Sequence, residues 1–373
     1  MLNNWHKKER PFLSLTSTTG GAGGFASGGA GGLWQWDGDM TLSAPLTGMD
    51  GPNLTQGRSH MTGGMPTDIK NDTTYFNVTP TGIRDIRVGE TGRYRFTVKG
   101  CACPNGGKGG QQTATFDLTE NEVLRIGVGQ RGNPASNPGN SRRQGSGGTF
   151  ITVYPETTTP GEPSHMTSKW NGENNNFLMA MGGAAGGDPK TSHQDAKQSD
   201  NDQGRENVNC GHPGIRGGGG GGGKDGSGGG GGGLLGNGGI GYSGQYGGSE
   251  GAGGDGANYP PVGHPGPGAG GGNGGTGGQS QPGGRAFLAG AQGGGTGSFQ
   301  GGFGGGGCFA PWNSNGGGGG GYSGGGGGGY GPNQAGGTGG SSKINTSNPR
   351  YVSTDSSWTL HTSDGSVVIE KIA

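Results

Sequence analysis

GGGGGGYSGGGGGGY, residues Gly316–Tyr330, is two runs of six glycines split by Tyr322-Ser323 and closed by Tyr330. Similar runs occupy 217–223, 228–233 and 304–307, with looser ones at 270–278 and 293–302. A flexible linker usually mixes glycine with serine and has no use for runs of matched length. These runs are nearly pure, and bulky residues stand at their ends: Leu234-Leu235, Phe303, Phe309, Trp312, Tyr322 and Tyr330. That pattern points to a bundle of extended threefold helices, the glycine form of polyproline II. Such a helix has three residues per turn and rises about 3.1 Å per residue, so six or seven glycines span about 19–22 Å. It has no internal hydrogen bonds, so its N–H and C=O groups face outward and can pair with parallel neighbours. Only glycine lets backbones approach this closely on all sides. The expected core is Gly217, Gly220, Gly223, Gly228, Gly233, Gly316, Gly321, Gly324 and Gly329. Phe303, Phe309, Trp312, Tyr322 and Tyr330 are expected to pack at the bundle ends.

The glycine is segregated. The chain holds 104 glycines in 373 residues, of which 72 fall in 182–340 and one in 341–373. Apolar residues do the reverse: 69–181 carry 19 Leu, Ile, Val and Phe, and 182–340 carry 11. This composition excludes an enzyme domain with one large aliphatic core, and the block arrangement excludes collagen. The 25 basic and 25 acidic residues balance. They give no general reason to bind nucleic acid or anionic membrane.

Upstream, the pattern has period two. Arg93-Tyr94-Arg95-Phe96-Thr97-Val98-Lys99 alternates, with Tyr94, Phe96 and Val98 on one face. This is a half-buried antiparallel strand. Further strands are expected at 74–80, 83–88, 113–118, 123–128, 149–154 and 177–181, separated by Gly, Asn and Pro turns. Ser366-Val367-Val368-Ile369-Glu370-Lys371-Ile372 reads as one more. A lone strand is not stable, so it should return to the same sandwich. The expected organisation is an arm and glycine-rich leash at 1–32, a short linker or strand region at 33–73, an all-β antiparallel sandwich from 74–181 and 341–373, and the glycine bundle inserted at 182–340.

The order strand, Gly106–Gly110 turn, Thr115-Phe116-Asp117-Leu118, Leu124-Arg125-Ile126-Gly127-Val128-Gly129-Gln130-Arg131-Gly132, Gly147-Gly148-Thr149-Phe150-Ile151, Phe177–Gly183, then Gly302–Cys308 and Gly316–Tyr330 resembles a known arrangement. It is similar to the glycine-rich domain of the anaplastic lymphoma kinase and leukocyte tyrosine kinase ectodomains. That resemblance implies a jelly-roll, tumour-necrosis-factor-like sandwich carrying a polyglycine bundle. With no signal peptide, membrane helix or kinase in this sequence, receptor function is not carried over. The same architecture occurs in glycine-rich virion proteins and fibre-tip adhesins of tailed phages. Asn4-Trp5-His6-Lys7-Lys8-Glu9-Arg10-Pro11, followed by small residues, looks like the start of virion proteins from marine phages.

No catalytic constellation emerges. GxGxxG strings carry no weight at this glycine content, and no P-loop or nucleophile elbow is present. The seven histidines lack metal-ligand spacing. His165, Asp188 and His193 are the only polar grouping worth naming. Cys101, Cys103, Cys210 and Cys308 read as structural thiols, with a disulfide from the 101/103 pair to Cys210 or Cys308 as the alternative. No cofactor is expected, and the chain is expected not to be an enzyme.

The reading is a phage virion structural protein, displayed as fibre, knob or adhesin and made in the host cytoplasm. Trp5, His6, Lys7, Lys8, Arg10 and Phe12 are expected to dock it into other virion proteins. Tyr242, Tyr246, Tyr259 and His264 are the candidate contacts to a host-surface glycan or protein, since aromatic loop tips supply rigid contact area. No membrane insertion is expected. A trimer is possible, although no heptads force one. The alternatives are a capsid-decoration or tail-assembly protein without a receptor, and an extracellular ligand-binding module of a cellular organism.

Overall fold

The computed structural model describes residues 33–103, 107–133, 144–162, 170–187, 194–199, 212–222, 228–240, 283–296, 299–308, 316–329 and 336–373. In chain order the first elements are β1 (Asp37–Ser43), α1 (Leu54–Ser59), β2 (Met61–Gly64), α2 (Thr67–Asn71), β3 (Phe76–Val78), β4 (Arg84–Arg87) and β5 (Gly92–Lys99). Then come β6 (Gly109–Leu118), β7 (Val123–Gly127), β8 (Thr149–Tyr154), α3 (Glu173–Asn176) and β9 (Phe177–Met181). The last are β10 (Gly295–Thr296), β11 (Phe299–Gln300), β12 (Lys343–Ile344), β13 (Tyr351–Thr354), β14 (Thr359–His361) and β15 (Ser366–Lys371).

The main strands form two antiparallel sheets. The first runs β13-β6-β5-β15-β1-β2, with β14 also on β6; the second runs β12-β9-β8-β7-β4-β3. Between them lies one core, in which Met40, Leu42, Phe96, Val98, Phe116, Val367 and Ile369 face Ile86, Leu124, Ile126, Ile151, Val153 and Met179. Burying each such side chain is worth about 1.5–3 kcal/mol. The alternation in β5 holds: Tyr94, Phe96 and Val98 are fully buried. The last strand is central, pairing Val367 with Val98 on β5 and with Leu42 on β1.

Residues 33–73, read as a linker or strand region, carry β1 and β2, which complete the first sheet beside β15, so the sandwich starts ahead of the expected residue 74. Only Met40 and Leu42 mark β1 as a strand, too few to show a period. The strand expected at 74–80 is only β3, because Asp72 turns the chain before it: its Oδ1 accepts the Thr74 N–H at 2.8 Å. Within 293–302 the described residues include the short antiparallel pair β10–β11, flanked by glycines that bond the glycine runs, Gly294 donating to Gly306 and Gly302 to Gly145.

The glycine block is ordered by backbone hydrogen bonds with a period of three. In the run 228–233, the N–H groups of Gly228 and Gly231 donate to Gly328 and Gly325. Those of Gly229 and Gly232 donate to Cys308 and Gly305, and those of Gly230 and Gly233 to Gly239 and Gly236. Each neighbour is therefore met again three residues later, displaced by three. The carbonyls repeat the pattern: Gly229 and Gly232 accept from Gly318 and Gly321, Gly230 and Gly233 from Gly284 and Phe287, and Gly231 from Gly220. One run thus bonds six surrounding segments. The run 316–321 behaves alike, with Gly318 and Gly321 donating to Gly229 and Gly232, and Gly317 and Gly320 accepting from Gly186 and Gly183.

The same closeness explains the composition. A Cβ on Gly231 would lie 2.0 Å from the Gly319 oxygen, one on Gly220 2.1 Å from that of Gly325, and one on Gly324 1.9 Å from that of Gly231. The layer also recruits Gly145–Gly148, ahead of the expected boundary at 182: Gly145 and Gly148 donate to Gly307 and Gly304. That run leads straight into β8, and 182–187 lead straight out of β9, so strand and glycine run share one path.

Candidate functional site

A second apolar cluster joins the glycine block to the outer face of the second sheet. Val123, Phe150, Tyr154, Phe177 and Ala180 meet Leu234, Phe287, Leu288, Phe303 and Tyr322 there. Phe150 stacks on Phe287 at 4.9 Å, and Phe177 meets Tyr322 at 5.5 Å. Phe303 is fully buried, and Tyr322 nearly so. The Tyr322 hydroxyl accepts from Lys343 Nζ at 2.9 Å and donates to Glu173, while the ammonium lies 4.3 Å from its ring centroid. This seam is why β7, β8 and β9 are buried along their whole length.

The expected core glycines Gly217, Gly220, Gly228, Gly233, Gly316, Gly321, Gly324 and Gly329 are all buried. Gly217 sits in a turn at φ 82°. Gly223 lies outside the described residues, as do Phe309, Trp312 and Tyr330.

The runs give the block two distinct ends. At one end Leu234 donates to Tyr322, Leu235 donates to Gly217, and the seam aromatics gather. At the other end Gly228 bonds Gly328, Gly328 bonds Gly316, Gly229 bonds Cys308, and Gly186 bonds Gly317 and Gly337. From this second end the chain passes into 188–193, 223–227, 241–282, 309–315 and 330–335, all outside the described residues. Tyr242, Tyr246, Tyr259 and His264 belong to one of these segments.

The residues expected to dock the arm, Trp5, His6, Lys7, Lys8, Arg10 and Phe12, also lie outside the described residues. The chain enters the fold beside Gly89, where the Leu33 N–H donates to the Gly89 oxygen at 2.9 Å. Trp34 is buried and donates to the Arg87 oxygen, and Trp36 bridges Trp34 and Tyr94 at 5.0 and 5.2 Å. The C-terminal residue is alongside, its Ala373 oxygen accepting from Arg93 N–H. This point is at the start of β5 and the end of β8, whereas the glycine runs join the opposite ends of those strands. The arm junction and the outer end of the glycine block therefore face away from each other.

Among the described residues no group of three or more His, Cys, Asp or Glu could hold a metal ion, and no helix is long and apolar enough to cross a membrane. His165, Asp188, His193 and Cys210 lie outside the described residues. Cys101, Cys103 and Cys308 are buried thiols outside any disulfide. Burial pushes the Cys101 and Cys308 thiols up to about 12, which makes them poor nucleophiles.

Two features escaped the sequence reading. One is a buried ion pair, Asp85 with Arg125 at 3.0 Å, with the Gly161 N–H donating to Asp85 Oδ2. Burial raises the Asp85 carboxyl to about 6 despite the guanidinium. Its folded value exceeds its unfolded one, so its stabilising contribution is complete below about 4 and is lost as pH rises through about 6. Asp85→Asn should flatten the change in denaturation midpoint between pH 4 and 7. It should also be less stable than the parent at pH 7, because Arg125 loses its partner. An unchanged slope would show that Asp85 does not titrate there. The other feature is a groove around Trp358. Its sequence signal is a lone tryptophan in Ser353-Thr354-Asp355-Ser356-Ser357-Trp358-Thr359, which polar composition disguises as a plain turn.

No protein-family model matches the chain, and no curated protein is significantly similar to it.

Proposed function

We propose that this chain is a non-enzymatic phage virion structural protein, displayed on the particle as a fibre, knob or adhesin and serving attachment to the host surface. The observation that carries this reading is the opposition of the two ends. An arm leaving beside Gly89 suits anchoring, and five chain segments leaving the far end of the glycine block suit contact. We infer that the block is a polyglycine II bundle on a jelly-roll-type sandwich, since its hydrogen bonds repeat every three residues. Such a bundle presents loops on a support whose backbone groups are already paired and so resist proteases. The resemblance of 4–11 to virion-protein starts supplies the particle, and Trp5, His6, Lys7, Lys8, Arg10 and Phe12 the docking contacts.

Deleting residues 2–20 is the test. The truncated protein should fold and remain soluble, yet be absent from purified particles. Incorporation at the parent level would remove the docking role of the arm. Binding of the purified full chain to host cells, lost on replacing Tyr242, Tyr246, Tyr259 and His264 together, would support the adhesin role. A full chain that binds no host cells would leave a decoration or assembly protein.

A further inference from the structure

The groove at the β13–β14 turn has a volume of about 600 Å³ and is lined by Trp358, Gln112, Gln198, Thr354, Asp355 and Ser357. That is within the range of small-ligand sites, roughly 300–1,000 Å³. Its floor is rigid. The half-buried Trp358 packs on the main core, and its Nε1–H donates to Ser342 Oγ at 3.2 Å. Gly110 leaves room for the ring, since a Cβ there would lie 3.0 Å from Trp358 Nε1. The turn is pinned to β6: Asp355 N–H donates to the Thr113 oxygen, and Thr113 N–H donates to Ser356 Oγ, both at 2.9 Å. Gln198 follows Lys197, which bonds Gly340 and Ser342 through its backbone. The wall that carries Gln198 is therefore tied to the residue that holds the indole.

We propose that this groove is a binding subsite for a neutral saccharide. A sugar ring offers an apolar C–H face and a rim of hydroxyls. The indole supplies an apolar face with its own polar atom already engaged. Side-chain amides and hydroxyls around it donate and accept in turn, as a ring of sugar hydroxyls requires. The one carboxylate, Asp355, has its oxygens engaged by the Thr115 and Ser353 hydroxyls and by Arg95 at 3.6 Å, a guanidinium that also pairs with Glu370, and the lining holds no cationic side chain to attract an anionic ligand. A protein partner would need apolar area, and among the described residues the exposed large apolar ones, Leu33, Ile215, Ile240 and Ile372, do not line the groove. The inference rests on the attachment reading for its biological sense.

The full chain should be titrated with maltotriose, mannotriose and triacetylchitotriose, with trigalacturonate as the charged control, while the indole N–H resonance of Trp358 is followed. At least one neutral trisaccharide should shift that resonance at millimolar concentration or below. Trp358→Ala should weaken binding at least about tenfold, equivalent to about 1.4 kcal/mol. Gln198→Ala, at an exposed position, should weaken it several-fold with circular dichroism unchanged, which covers the case in which Trp358→Ala fails to fold. The proposal is overturned if no neutral trisaccharide moves the resonance at about 10 mM, if trigalacturonate binds best, or if Gln198→Ala binds like the parent. Adsorption to host cells separates the two readings. Cells that bind the parent and Gln198→Ala equally remove the groove and leave attachment standing. Saccharide binding without any adsorption keeps the groove and removes attachment.

Discussion

Gly231→Ala is expected to unfold the glycine layer. The new Cβ would sit 2.0 Å from the Gly319 oxygen and 2.6 Å from its carbon. No flexible side chain can yield, because the obstacle is backbone held on its other sides. Relief requires the run to move, which breaks the bonds Gly231 N–H to Gly325, Gly220 N–H to Gly231, and Gly325 N–H to Gly319. Overpacking costs about 1–3 kcal/mol, and each buried group left unpaired adds about 1–3 kcal/mol. Alanine gives back only about 0.4–1 kcal/mol by restricting the unfolded chain. The net loss should be at least about 4 kcal/mol, measured as a fall in the denaturation midpoint with new protease cleavage within 212–240. Gly38→Ala is the control. A Cβ there meets nothing within 4 Å and bears only the strain of a φ of 73°, about 1–2 kcal/mol. Equal small effects at both positions would mean that the runs do not touch.

Phe303→Ala is expected to separate the glycine layer from the sandwich. The ring is fully buried in the seam cluster, while the backbone of Phe303 bonds Gly48 and Gln130 on the sandwich side. Removing a buried aromatic ring costs about 3–5 kcal/mol. The main core and the period-three bonds are untouched, so the loss falls on docking. Differential scanning calorimetry should turn one transition into two, with the glycine layer melting first. A loss below about 1 kcal/mol with a single transition would mean that the seam does not hold the layers together.

Much of this was legible in residues whose pattern is local. β5 alternates because one of its faces meets water. The runs 123–128, 149–154 and 177–181 do not alternate, since the seam buries their second face; even Arg125, Thr149 and Thr152 are buried there, which is the sandwich's imprint of the glycine layer. The runs announced themselves by purity and by the aromatic residues beside them, two of which, Phe303 and Tyr322, lie in the seam. What escaped was long-range. β1 is defined by pairing with β15, at the far end of the chain. The short helices α1 and α2 are too brief to show a period, although Asn53 and Gln56 form a reciprocal capping box on the first. The Trp358 groove needs Gln112, Gln198 and the 354–358 turn brought together by the fold, and no spacing in the sequence expresses that.

The central claim is that glycine runs form a second, hydrogen-bonded core. Amide hydrogen exchange measured by NMR on 218–222, 228–233 and 316–329 addresses it most directly. If the runs bond one another every third residue, their amides should exchange far more slowly than in an unstructured glycine peptide, with Gly231 and Gly325 approaching the protection of Phe96 in β5. Exchange of those amides at the unstructured rate, beside a protected β5, would contradict the account and return the runs to the role of linkers.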